Sequence, residues 1–221
     1  MYGYVMWGKR SGLTAENIGG VWFAAAAVPE GGVLAAFRRG LVLRRLRRRG
    51  VRRCVLPEEL EEEAARWGLL PVEVDCLRLA LLPQLLDLRG DLRRSTALLR
   101  AGGVTSDVYR AAAVLAGRVR YLTLAVGCGG EDLACALRQR FGLCTGSVER
   151  PAVTVSFGGA PEEEDVICLG PDCRRWQRVT YAPMEDMLGP WPVSEQLLSV
   201  LFQAGEIKKE QIHVKTIAPN A

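Results

Sequence analysis

The chain has 221 residues, 29 basic and 25 acidic side chains, and a formal net charge of +4. Its apolar share of 49% is enough to build a core. No apolar run approaches the ~20 residues of a membrane-spanning helix, and the net charge is modest for a nucleic-acid binder.

Taken in order, the first twenty residues are atypical, with Tyr2, Tyr4 and Trp7 beside glycines. They read as a peripheral element or an addition to the core. Val21 to Val28, VWFAAAAV, reads as a first strand rather than a secretion signal, because the run is short and follows Glu16 and Gly19-Gly20. Val33 to Arg49 reads as a helix stopped by Gly50. Val51 to Leu56 is a short strand, and Pro57 to Trp67 a helix with proline suited to its first turn. Asp75 caps a leucine-rich helix to about Leu88, kinked at Pro83. Thr96 to Leu99 is a strand. Ser106 caps a helix whose buried face is Val108, Ala111, Ala112 and Leu115, with Gly117 as its stop.

Tyr121 to Val126 is an apolar, uncharged run, which predicts a strand covered on both faces. Gly127, Gly129 and Gly130 turn the chain into a helix carrying Leu133, Leu137 and Phe141 on one stripe, ended by Gly142. After Glu149 the pattern changes to short strands joined by turns, Ala152 to Phe157, Val166 to Leu169 and Arg178 to Tyr181, which read as an antiparallel meander or a mixed sheet edge. Val193 to Gln203 is a last helix, and Ile212 to Ile217 a last strand.

This alternation predicts an α/β fold: a Rossmann-like, mostly parallel sheet with covering helices, plus a short antiparallel section near the C-terminus. The expected divisions are an N-terminal segment at 1–20, an α/β core at 21–150, and antiparallel strands, helix and tail at 151–221 packed on the same core.

The strand, glycine turn and helix from Tyr121 to Gly142 form the sharpest local signal. Gly127-Cys128-Gly129-Gly130-Glu131-Asp132-Leu133-Ala134 resembles the first motif of S-adenosylmethionine-dependent methyltransferases. The resemblance covers only the segment from Tyr121 to Glu149. It implies cofactor contact by Gly127, Gly129 and Gly130, with Glu149 holding the ribose hydroxyls. The competing reading is that these glycines make a tight turn and nothing more.

Nine arginines lie between Arg38 and Arg53. Such a cluster suggests phosphate contacts with nucleic acid. Glu58, Glu59, Glu61, Glu62 and Glu63 follow on the next helix and offset that field, and no aromatics are interleaved for base stacking. These features argue against a nucleic-acid partner, and no sequence feature points to a membrane.

The seven cysteines show no paired zinc spacing. Cys54 and Cys168 fall in apolar runs, and the set reads as reduced thiols of a cytoplasmic protein. His213 is the sole histidine and sits in an alternating segment typical of a sheet edge, so a catalytic triad has one base to draw on. Glu185 and Asp186 are adjacent loop carboxylates. The leading expectation is a non-catalytic protein that binds a partner or small ligand. The alternatives are a nucleotide-like cofactor binder, with methyl transfer as its concrete form, and nucleic-acid binding through the arginine helix. The cofactor is left unknown.

Overall fold

The computed structural model describes residues 1–8, 12–145, 150–158, 166–170, 179–184 and 187–216. Glu149, Glu185 and Asp186 lie outside them. The chain divides into two compact units, residues 1–74 with 183–212, and residues 75–182 with 213–221.

In unit one, β1 (Tyr2–Trp7), β2 (Gly12–Ile18), β3 (Val21–Val28), β4 (Arg53–Val55) and β5 (Leu70–Pro71) form a sheet in the order β2-β3-β1-β4-β5. Every pairing is parallel except β2 with β3, a hairpin closed by Gly19 and Gly20 at φ +55 and +91. Positive φ at both turn positions is what a two-residue hairpin loop requires. Asn17 Oδ1 accepts from the Gly20 N–H at 3.1 Å and fixes that turn. The first twenty residues, expected to be peripheral, thus supply the edge strand and the centre of this sheet.

Helices α1 (Ala35–Arg48), α2 (Glu61–Arg66) and α6 (Glu195–Ala204) belong to the same unit. Buried Val42, Leu43 and Leu46 of α1 join Val5, Ala26 and Val28 of the strands in one core. Residues 58–60 form a short 3₁₀ turn ahead of α2, so the single helix expected from Pro57 to Trp67 is split.

Unit two holds α3 (Asp75–Asp87), β6 (Thr96–Gly103), α4 (Ser106–Ala116), β7 (Tyr121–Cys128), α5 (Gly130–Phe141), β8 (Cys144–Thr145), β9 (Val153–Ser156) and β10 (Val166–Cys168). Its sheet runs β10-β9-β6-β7-β8 and is parallel throughout. The chain steps outward from β6 through β7 to β8, then returns to lay β9 and β10 on the other side of β6. This is the Rossmann-like arrangement, and it makes the fold a mostly parallel α/β one. Helices α3, α4 and α5 pack in series, with α4 against β6 and β7.

Three element-level expectations need correction. The segments Ala152 to Phe157 and Val166 to Leu169 are not an antiparallel meander. They are β9 and β10, parallel to β6, and the antiparallel section is the pair β11 (Val179–Pro183) and β12 (Ile212–Thr216). Residues 121–126 are not covered on both faces. Leu122 is buried, but Tyr121 and Ala125 are exposed, and among the described residues β8 pairs with β7 only at Tyr121 and Leu122. Finally, α4 is capped by Thr105, not Ser106: its hydroxyl accepts from the Val108 N–H at 3.3 Å.

Candidate functional site

The end of β6 carries Arg100, Ala101, Gly102 and Gly103, followed by Val104 and Thr105 and the first turn of α4. Strand order reverses between β6 and its neighbour β9. In open parallel sheets ligands gather in the crevice outside the carboxyl ends of the two strands flanking such a reversal. Arg100 faces Ser156 in the β6–β9 register, and Ser156 faces Cys168 in the β9–β10 register. These three residues therefore line up across the three strands, at the carboxyl ends of β9 and β10 and three residues short of the end of β6.

The loop after β9 is held tightly. Ser156 Oγ donates to the Gly158 carbonyl at 2.7 Å and accepts from the Gly158 N–H at 3.4 Å. The Phe157 N–H donates to the Arg100 carbonyl at 2.9 Å, which ties this loop to β6. A cation is buried nearby: Arg78 of α3 is 1% exposed and donates from Nη1 to the Cys168 carbonyl at 3.4 Å. In the sequence it is one arginine in a leucine-rich helix, with no local sign that it is buried.

Gly102 is informative. Its φ is not positive, and a Cβ built on it would meet nothing within 4 Å. A strand-interior glycine costs stability, and this one has no steric cause within the described residues. Gly103 likewise has only ordinary contact with Cys128. The pair sits where a ligand's backbone-like groups would approach the sheet end and the N-terminus of α4.

The glycines singled out by the methyltransferase-like motif lie one strand away. Gly127 is in β7, and a Cβ there would stand 2.4 Å from the Gly102 carbonyl oxygen. Close approach of two strands accounts for that glycine. Gly129 has φ +80 and is the residue before α5, with the Val104 side chain 3.3 Å from where its Cβ would be. Gly130 opens α5 and would make ordinary contact with Val126. Beside them is a shallow depression of about 480 Å³, bordered by Thr123, Val126, Gly127, Glu131 and Thr145.

The corresponding reversal in unit one lies between β1 and β4, and its β4 end is filled. The Leu56 N–H donates to Gln196 Oε1 of α6 at 2.9 Å, and Gln196 Nε2 reaches Glu61 Oε1 at 3.5 Å. Cys54 is buried on β4, and burial pushes its thiol up to about 12, opposed by a backbone hydrogen bond with Gly3. Burial also raises the Tyr4 phenol. His213 is exposed on β12. Among the described residues no group of three His, Cys, Asp or Glu side chains could hold a metal ion, and no helix is long and apolar enough to cross a membrane.

No family model and no curated protein matches this chain. A shikimate 5-dehydrogenase-like protein of known structure is similar at 12% identity with a TM-score of 0.28, over 74% of this chain and 69% of that one.

Proposed function

We propose that the protein is a binding protein for a small, anionic, nucleotide-like ligand, taken at the β6–β9 crevice of unit two. The observation that carries this reading is the reversal of strand order between β6 and β9. Three features support it. Among the described residues Gly102 leaves open space near the sheet end, and Gly103 beside it has only ordinary contact with Cys128. The first N–H groups of α4 follow at once, and a helix N-terminus favours negative charge. Arg100, three residues before the end of β6 and opposite Ser156 of β9, brings a cation to the same strand pair.

A second reading extends the same site. A ligand longer than a phosphate would lie over the end of the neighbouring strand, where Gly127, Gly129 and Gly130 stand beside the depression bordered by Glu131. S-adenosylmethionine and dinucleotides have that length, and Glu149 would then be a candidate for ribose contact.

Thermal unfolding with millimolar ATP, NADP or S-adenosylmethionine tests both. Binding to the folded state raises the unfolding temperature, by about 2.7 kcal/mol of stabilisation at a hundredfold excess over the dissociation constant. Gly102→Val fills the open space without strain and should abolish the rise. No rise with any of the three probes, or a rise that survives Gly102→Val, contradicts the proposal. A rise confined to S-adenosylmethionine supports the longer site.

A further inference from the structure

Helix α1 buries one stripe and leaves a second apolar stripe uncovered. Phe37 is 66% exposed and Leu41 39% exposed, one turn apart on the outer face. With Trp67, 38% exposed at the end of α2, they border a groove of about 650 Å³ between the two helices. A glycine forms the groove's notch: a Cβ on Gly40 would stand 3.3 Å from the Trp67 ring, so the indole lies where a side chain of α1 would otherwise be. Glycine in a helix interior costs about 1 kcal/mol relative to alanine. The floor is rigid. Arg39 Nε pairs with Glu63 Oε2 at 2.7 Å, and its Nη1 also reaches the carbonyls of Pro29 and Glu30.

The charge on this face has two signs, separated by helix. Between Ala35 and Arg48, α1 carries Arg38, Arg39, Arg44, Arg45, Arg47 and Arg48 and no acid. Residues 58–66 carry Glu58, Glu59, Glu61, Glu62 and Glu63 against Arg66 alone. Among the described residues Arg44 and Arg66, and Glu59 and Glu62, line the groove without an ion-pair partner.

We infer that this face is a two-fold interface between two copies of the chain. A two-fold axis through the groove sets the basic α1 of each copy over the acidic α2 of the other, so both charge pairings are satisfied together. It also sets Phe37 and Leu41 of one copy toward the Trp67 groove of the other. A self-complementary patch is what an isologous dimer requires. A partner of a single charge sign, such as nucleic acid or an acidic peptide, would be attracted by one helix and repelled by the other. Aromatic anchors with free charges around them match the composition of interface centres and rims.

The test is the mass of the full chain in solution, by light scattering and sedimentation velocity, up to about 100 μM, where an interface of micromolar strength is filled. The expected result is a concentration-dependent species of twice the monomer mass. Phe37→Asp should weaken it about tenfold or more, as loss of a central aromatic does. Phe37 and Leu41 are exposed, so folding should survive; Leu41→Arg is the second variant, and circular dichroism checks both. Arg44→Glu and Glu62→Arg should each weaken the dimer, and the two together should restore it, since both pairings invert in each copy. A monomer at every concentration overturns the proposal, including one that holds a different protein or RNA on this face. So does a dimer indifferent to Phe37→Asp and Leu41→Arg in folded protein.

Discussion

Gly127 and Gly102 face the same pair of strands with opposite constraints. A Cβ on Gly127 would be driven 2.4 Å from a backbone oxygen that cannot rotate away, whereas one on Gly102 enters open space. Gly127→Ala should therefore cost about 1–3 kcal/mol, as overpacking does. Gly102→Ala should stay within about 0.5 kcal/mol of the parent and lean towards stabilisation through the unfolded chain. Urea unfolding of the two variants checks the contrast, and equal losses would contradict it. At Cys54, burial holds the thiol protonated up to about 12 in the folded protein. The unfolded thiol ionises earlier. The stability this group contributes is complete at neutral pH and falls as pH rises past the unfolded value toward 12, with Tyr4 acting in the same sense. Maleimide at mildly alkaline pH should label exposed Cys76, Cys128 and Cys135 in native protein and reach Cys54 only on denaturation. Labelling of Cys54 in the native state, read by peptide mass spectrometry, would refute its burial.

At the scale of elements, helix ends behave as their sequences require. Ser194 Oγ accepts from the Leu197 N–H at 3.1 Å, and Gly205 at φ +81 ends α6. Ser194→Ala should lower stability by about 1 kcal/mol in a denaturant titration, and no change would mean that the cap bond is not formed in solution. Helices were legible because caps, glycine stops and the 3.6-residue stripe are local. Gly117 and Gly142 were read as stops and both stand at helix ends. Strand partners were not legible, because pairing joins residues far apart in the chain. The short runs of β9 and β10, separated by turn residues, carry the local look of a meander, yet both extend the parallel sheet beside β6. β1 is short, glycine-containing and aromatic, and its place at the centre of a sheet follows from β3 and β4 flanking it. The site illustrates the same limit. A strand, a glycine turn and a helix occur twice in succession, at Gly102-Gly103 and at Gly127–Gly130. The local pattern favours the second, and only the strand order marks the first as flanking the reversal.

Across the whole molecule, the two units each build a mostly parallel sheet, and they differ at the carboxyl ends of the strands where their orders reverse. In unit one Gln196 occupies the β4 end. In unit two, among the described residues, the β6 end presents open space at Gly102 and a helix N-terminus. The net charge of +4 is spread unevenly, with 18 basic and 12 acidic residues in the first 110 positions. Most of that excess sits on α1, opposite the acids of residues 58–63, so the long-range field is smaller than the arginine count suggests. The central claim is that unit two carries the ligand crevice at the β6–β9 reversal. Amide chemical-shift mapping on ¹⁵N-labelled protein, titrated with NADP or S-adenosylmethionine, tests it most directly. The account requires the largest shifts at residues 102–108 and 156–158, with smaller ones at 127–130. Absence of shifts with both ligands, or shifts concentrated away from the ends of β6 and β9, would contradict it.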